Sequence, residues 1–401
     1  MNFSELNFEP SLLEGLHSMG FDKATPIQEL AIPIILKHHD LIACAQTGTG
    51  KTAAYLLPVI NKNIQSHKHA VNTLIIVPTR ELAVQIDEAM QGFGYFTPVN
   101  AIAIYGGSDG ISFAQEKKAL TEGANIIIAT PGRLIAHLNM GYVKFDELEH
   151  LILDEADRML DMGFSDDLNK IISFLPKKRQ TLMFSATMPP KIRELAKKIL
   201  NNPEEVNISI SKPAAGVLQA AYVVHSAQKM GLLKGLLRDK NIASILIFSS
   251  TKDKVKELER ELKRLQFNVA AIHSDLEQVE RTEVLRQFKN KRLQILVATD
   301  ILSRGIDIDS IGLVINYDVP RDAEDYVHRV GRTARAETTG VALTFISPED
   351  QRKFQRIEEL IGSSVNKIAL PAHLGEAPLY DPKNHAEAKP RGKSFPHKRK
   401  R

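Results

Sequence analysis

Cysteine is almost absent from this chain of 401 residues: there is one, Cys44. It lies in the apolar run Leu41-Ile42-Ala43-Cys44-Ala45, and a lone thiol excludes an intramolecular disulfide and any cysteine-based zinc site. No apolar run approaches the roughly 20 residues of a membrane span. The opening MNFSELNFEP lacks the basic and apolar regions of a signal peptide, so a cytoplasmic protein is expected. A basic body is missing as well. The net charge is +4, yet the thirteen residues Lys389 to Arg401 hold seven Lys/Arg and no Asp/Glu, which leaves the rest at −3. Any nucleic-acid contact by the body must therefore come from local arrangement rather than bulk charge.

What is present is an ordinary globular composition, 43% apolar and 25% charged, with length for two or three domains. Short β-branched runs alternate with amphipathic stretches: LIACA, TLIIVP, AIAIY, NIIIAT, HLILD and TLMFSAT. That rhythm predicts a parallel sheet covered by helices. It stops at SISKPAAG, residues 209 to 216, whose Pro, Gly and small residues suit a linker. A second series follows, YVVHS, SILIFSS, VAAIH, QILVATD, LVINY and VALTFIS, again interleaved with helical pieces. The expected layout is an α/β unit over 1–208, a linker over 209–217, a second α/β unit over 218–365 and a basic tail over 366–401. The stretch Pro371 to Arg401, rich in Pro, His, Lys and Arg, reads as largely disordered.

Polar clusters recur just after the apolar strands, where open α/β sheets bind ligands. The clearest is AQTGTGKT, residues 45–52, between a strand and a helix. Gly48 and Gly50 let the backbone turn its N–H groups toward phosphate, Lys51 adds a positive charge, and the Thr52 hydroxyl can bind Mg²⁺. Ala45 stands where such loops usually begin with glycine, and Gln46, Thr47 and Thr49 complete the nucleotide-binding set. In HLILDEAD, residues 150–157, two acids directly follow a buried strand. Asp154 is expected to hold the metal, and Glu155 to orient and help deprotonate the water that attacks the γ-phosphate of ATP.

Asp154-Glu155-Ala156-Asp157 spells the tetrapeptide of the DEAD-box RNA helicases, and the chain resembles that family from Phe3 to about residue 360. The matching motifs stand in order: Gly20-Phe21 with Thr25-Pro26-Ile27-Gln28, PTREL (78–82), Gly106-Gly107, TPGR (130–133), SAT (185–187), ATD (298–300), RGID (304–307) and HRVGRTAR (328–335). Two departures are Ala24, where proline is frequent, and Ala334, where glycine is frequent; the latter bears on the turn that places Arg335. The resemblance implies two RecA-like domains, ATP and Mg²⁺ as cofactors, and RNA as partner. It also implies that Phe3 stacks on adenine while Gln28, beside Thr25, bonds the base edge; packing of Phe3 or Phe8 on the domain is the other reading of that ring.

The second unit has no phosphate loop, since SSTKDKVKE follows its strand SILIF. Instead it carries Arg329, Arg332 and Arg335, planar cations suited to phosphate oxygens. By resemblance Arg332 and Arg335 are arginine fingers for the γ-phosphate, His328 links them to the catalytic core, and Asp307 contacts the ribose. Ser185 and Thr187 are the implied coupling element between nucleotide and RNA, although alone they would be a small-residue turn. The implied RNA contacts are Thr79, Arg80, Gly107, Thr130, Arg133, Ser249, Thr251, Arg281, Thr299 and Asp300. Such residues offer N–H and O–H donors to phosphates and 2′-hydroxyls without reading bases.

The activity expected is RNA-stimulated ATP hydrolysis that separates short duplexes or remodels RNA–protein complexes, with an ATP-gated clamp that unwinds little as the alternative. Ribosomal or RNA-decay proteins are the expected further partners. LPKKRQTLMFSAT leans toward the bacterial RhlE branch. The tail adds salt-sensitive attraction to RNA, acts as an import-like signal, or merely solubilises.

Overall fold

The computed structural model describes residues 1–45, 48–66, 70–107, 110–208, 217–238, 242–273, 275–299, 311–333 and 340–383, with the side chains of 110–112 and 278 left aside. These residues form two compact units, one ending at Ile208 and one beginning at Val217. Gln46, Thr47, Asp300, Asp307, Arg335, the segment 209–216 and the basic residues 389–401 lie outside the described residues.

The front unit is a seven-stranded sheet: β1 (Leu41–Cys44), β2 (Thr73–Ile76), β3 (Ala101–Ile104), β4 (Ile126–Ala129), β5 (His150–Leu153), β6 (Gln180–Ser185) and β7 (Glu204–Asn207), in the order β3-β4-β2-β5-β6-β1-β7. Every pairing is parallel. Parallel strands need helical crossovers, which cover both faces and turn strand sequences into continuous apolar runs. The alternation is visible in the core. Ile126 and Ile128 face one layer and Ile127 and Ala129 the other, and β6 divides Leu182 and Phe184 from Met183 in the same way. Burying each such side chain stabilises by roughly 1.5–3 kcal/mol. The first helices are α1 (Pro10–Ser18), α2 (Pro26–Leu36), α3 (Lys51–Ser66) and α4 (Arg80–Phe93).

The back unit repeats the plan with β8 (Val217–Val223), β9 (Ile245–Phe248), β10 (Val269–Ile272), β11 (Ile295–Ala298), β12 (Leu313–Asn316), β13 (Gly340–Ile346) and β14 (Asn366–Lys367), ordered β10-β11-β9-β12-β13-β8-β14. Counting each unit from its own first strand, the two orders are identical, so β8 answers to β1 and β12 to β5.

Two boundaries differ from expectation. Val217, assigned to the linker, is the first residue of β8. The packed body also continues past 365 and through Pro371 to Lys383, where disorder was expected. β14 adds to the edge of β8, Gln228 Nε2 donates to the carbonyls of Leu374 and Glu376, and Arg352 reaches the carbonyls of Pro382 and Lys383. Glu358 anchors the stretch, accepting from Val365 N at 2.7 Å and Tyr380 Oη at 2.8 Å, as well as from Lys367. Backbone capture by side chains of the preceding helix leaves no hydrophobic periodicity, so the sequence pattern is silent there. No helix among the described residues is long and apolar enough to cross a membrane.

Candidate nucleotide site and nucleic-acid contacts

Parallel strands end at one edge of the sheet, and the front unit's polar clusters collect there. Gly48 (φ 80°) and Gly50 (φ 92°) take left-handed backbone, and a Cβ on Gly50 would come within 2.4 Å of Gln28 Nε2. Glycine is required at that position twice over. Gln28 occupies the space: its Oε1 accepts from Thr25 N at 2.8 Å and its Nε2 donates to the Gly50 carbonyl at 3.0 Å, while Thr25 Oγ1 donates to the Thr49 carbonyl at 2.8 Å. The start of α2 and the phosphate loop are thus sewn together. Lys51 is buried, with Nζ donating to the Ala45 carbonyl at 2.7 Å, and Ala45 N reaches the Ser185 carbonyl at 3.0 Å.

Asp154 follows β5 and is buried. Burial pushes its carboxyl above the usual range, a shift that Lys51 opposes and Glu155 reinforces. Its Oδ1 accepts from Glu155 N at 2.8 Å and its Oδ2 from Tyr55 Oη at 2.9 Å. Glu155 sits at φ 49°, ψ 49°, a left-handed conformation that costs a non-glycine residue of order 1–3 kcal/mol and marks functional sites when the surroundings enforce it. Arg158 Nη1 donates to its Oε2 at 3.0 Å. One buried carboxylate and one hydroxyl, Thr52, suit Mg²⁺, which takes one or two protein ligands and fills its shell with phosphate and water.

The second aspartate of the tetrapeptide does a different task. Asp157 Oδ2 accepts from both the N–H and the Oγ1 of Thr187 at 2.9 Å, and Ser185 Oγ accepts from Asp157 N at 3.2 Å while donating to the Thr187 carbonyl at 2.8 Å. The SAT segment is therefore bonded directly to the acidic motif.

Phe3 departs from expectation. It is 2% exposed and packs in the core with Leu6 and Phe8, so its ring has no face to give a base. The half-buried aromatic of this segment is Phe21, edge-on to Phe93 at 5.2 Å.

Among the expected RNA contacts of the front unit, Thr79 caps α4 by accepting from Leu82 N, Arg80 lies 4.5 Å over the Tyr105 ring, and Gly107 (φ 85°) leaves room for the Arg80 guanidinium, 3.2 Å from where a Cβ would stand. These residues converge. Thr130 precedes the helix Pro131–Asn139 at the end of β4. Arg133, on its first turn, is already engaged: Nε donates to Glu116 Oε2 at 2.8 Å and the guanidinium stacks on Phe113 at 4.7 Å. His137 Nε2 shares that Glu116 oxygen at 2.8 Å.

In the back unit Thr251 caps the helix Lys252–Arg264, Arg281 lies on the first turn of Gln278–Lys289, and Thr299 follows β11, partly exposed. Ser249 differs from its expected role. It is fully buried and donates to Asp318 Oδ2 at 2.9 Å, which turns its hydroxyl inward. His328 is buried on the helix Ala323–Val330. The arginines divide: Arg329 is buried, bonding Asn316 Oδ1 at 3.1 Å and the Asp318 carbonyl at 2.9 Å with its guanidinium 4.9 Å from the Phe248 ring centre, whereas Arg332 lies just past the helix, partly exposed.

The back unit carries a lysine and an aspartate at the places that Lys51 and Asp154 hold in the front unit. Lys229 opens the helix after β8 as Lys51 opens the helix after β1, and Asp318 follows β12 as Asp154 follows β5. Here the lysine binds the acid itself, Nζ donating to Asp318 Oδ1 at 3.1 Å and to the Tyr317 carbonyl at 2.8 Å. Burial alone would raise the Asp318 carboxyl, but Lys229, the Ser250 N–H and Lys254 together hold it well below the usual carboxylate range. A cavity of about 580 Å³ opens beside the pair, lined by five carboxylates and three lysines, a poor balance for polyphosphate.

Two family models match the chain, the DEAD/DEAH box helicase model over residues 25–195 and the helicase conserved C-terminal domain over 228–337. The chain is 42% identical to the ATP-dependent RNA helicase CshA of Listeria monocytogenes, over 92% of its own length and 70% of the relative's. It is 40% identical to the DEAD-box ATP-dependent RNA helicase CshA of Geobacillus kaustophilus, over 94% and 79%. Among solved structures, S. cerevisiae Dbp5 bound to RNA and ADP BeF3 is similar at 31% identity and TM-score 0.82, covering 92% of this chain and 95% of that one. Mss116p bound to ssRNA and AMP-PNP gives 28% and 0.79, covering 93% and 80%. The curated relatives quoted carry the CshA name, so the lean toward RhlE has no counterpart among them.

Proposed function

The chain belongs to the DEAD-box ATP-dependent RNA helicases, and from that premise we propose how its residues divide the work of RNA-stimulated ATP hydrolysis and the separation of short RNA duplexes. The observation that carries the assignment is the junction at the carboxyl edge of the front sheet, where phosphate loop, acidic motif and SAT segment share hydrogen bonds. Lys51 exchanges its carbonyl partner for phosphate oxygens, and the loop N–H groups at Gly48 to Gly50 line the same path. Magnesium, when bound, neutralises phosphate charge; Thr52 and Asp154 are the residues that hold it. Glu155, kept in its left-handed conformation by the helix start that follows, orients the attacking water and accepts its proton.

The base is read by Gln28, whose amide keeps one hydrogen and one lone pair after its two bonds here, with Phe21 rather than Phe3 offering a ring to stack on. From the back unit, Arg332 and Arg335 supply charge to the γ-phosphate, His328 links their motif to the catalytic core, and Asp307 contacts the ribose. Nucleotide and RNA binding shift the chain toward its hydrolysing state, and hydrolysis reverses the shift. Thr79, Arg80, Gly107 and Thr130 of the front unit and Thr251, Arg281, Thr299 and Asp300 of the back unit contact the RNA backbone without reading sequence. Arg133 supports that surface from its Glu116 clamp, and Ser249 shapes the loop that presents Thr251. The cytoplasm fits this activity, and ribosomal or RNA-decay proteins are the partner class to test by co-sedimentation with ribosomes.

The decisive experiment is ATP turnover with no nucleic acid, with RNA and with DNA, read beside displacement of a short labelled RNA strand. Stimulation by RNA together with strand displacement supports the reading. Equal stimulation by DNA overturns the RNA assignment, and RNA-stimulated turnover without displacement makes the protein a clamp.

A further inference from the structure

Helix α3 begins with Lys51 and Thr52, and residues three and four positions apart share a helix face. Tyr55 therefore lies beneath both. Its side chain is fully buried, the ring is tilted against Phe184 at 5.1 Å between centroids, and its hydroxyl donates to Asp154 Oδ2 at 2.9 Å. The phenol thus bonds the carboxylate assigned to the metal. The other Asp154 oxygen is fixed by Glu155 N at 2.8 Å, so the carboxylate plane has no freedom to turn.

A buried aromatic ring at this place would fill the core equally well without a hydroxyl; the oxygen adds a polar atom that must find partners in a water-poor site. It finds a partner in Asp154 Oδ2, an oxygen of the carboxylate assigned to the metal. Each Asp154 oxygen accepts one bond and retains a lone pair, which is the arrangement needed to hold a hydrated cation while staying in one orientation.

We infer that Tyr55 is a positioning residue for magnesium binding: its hydroxyl, opposite the Glu155 N–H, presets the orientation of the Asp154 carboxylate before the metal arrives. The inference rests on the assignment of Asp154 to the metal given above. Hydrogen-bond partners behind a ligand shell orient the ligands, and losing one typically costs about 10- to 100-fold in metal affinity or activity.

The test uses the full chain carrying Tyr55→Phe, which keeps the ring and its packing, with a fluorescent ADP titrated in Mg²⁺ and again in EDTA. The expected result is a loss of roughly tenfold in affinity with Mg²⁺ and no change in EDTA, together with a matching rise in the Mg²⁺ concentration that half-saturates ATP turnover. Unaltered binding in Mg²⁺ overturns the inference, and so does an equal loss with and without the metal, which would assign the hydroxyl to packing alone. Asp154→Asn run in parallel separates the two levels. If it abolishes the Mg²⁺ effect while Tyr55→Phe does not, the metal site stands and the role of Tyr55 falls; if it leaves the Mg²⁺ effect intact, the metal site falls and the inference with it.

Discussion

Replacing Ser185 by alanine and Thr187 by valine in the same chain tests whether the link between the acidic motif and the SAT segment transmits the state of the nucleotide. The double variant deletes the bond from Thr187 Oγ1 to Asp157 Oδ2 (2.9 Å), the bond from Asp157 N to Ser185 Oγ (3.2 Å) and the bond from Ser185 Oγ to the Thr187 carbonyl (2.8 Å). The bond from Thr187 N to Asp157 Oδ2 at 2.9 Å survives, so the strand end keeps its place. A hydrogen bond to a charged group contributes roughly 1.5–3 kcal/mol and a neutral one about 1, so the link weakens by about 3–5 kcal/mol. Since about 1.4 kcal/mol is tenfold, a conformational preference carried by these bonds would shift by more than about 100-fold. Neither hydroxyl is assigned to the metal or the attacking water. RNA-stimulated phosphate release should therefore stay within roughly threefold of the parent while duplex displaced per ATP falls at least about tenfold, an effect on coupling rather than on chemistry. Parallel loss of both activities, or displacement at the parent level, would refute the transmission role.

Other outcomes follow from the same geometry. Glu155→Gln should keep ATP and RNA binding while single-turnover hydrolysis drops by about 10²- to 10⁴-fold, the usual worth of a general base; hydrolysis near the parent rate would remove Glu155 from that role. Lys229→Met removes the buried one of the two lysines that stand 3.1 Å from Asp318 and leaves the half-exposed Lys254, and breaking a buried pair costs up to about 3–5 kcal/mol, so the back unit should unfold at lower urea while the front unit's transition stays put. His150 is buried and its imidazole is pushed down to about 4 by burial, chiefly, against an ordinary 6.5. The unfolded chain then takes up the proton first, so front-unit stability is intact above about pH 6.5 and is lost as pH falls toward 4, by about 2 kcal/mol at pH 5. Urea unfolding at both pH values should show that loss shrinking in His150→Asn, and an undiminished loss would assign it to other groups. Arg332→Ala should lower RNA-stimulated turnover by about 10³-fold with nucleotide affinity unchanged, as expected of an arginine finger; a turnover within severalfold of the parent would exclude it.

Sequence alone determined the architecture and the family. Short β-branched runs bounded by turn residues suit strands buried on both faces, their alternation with amphipathic segments suits parallel crossovers, and Gly48, Gly50 and Lys51 after a strand suit a phosphate loop in that context. Those are local statements, fixed by short-range sterics and periodicity. The tertiary structure decided which side chains face a ligand and which face the core, because burial is set by neighbours that are distant in sequence. It turned Phe3 and Ser249 inward, separated Arg329 from Arg332, and clamped Arg133 on Glu116. It also showed that 371–383 packs through backbone carbonyls caught by Gln228, Gln351 and Arg352, a contact that carries no apolar signature. Tyr55 and Lys229 escaped notice for the same reason. A tyrosine in a helix and a lysine at a helix start are ordinary by composition, and only the fold places each against a particular buried aspartate.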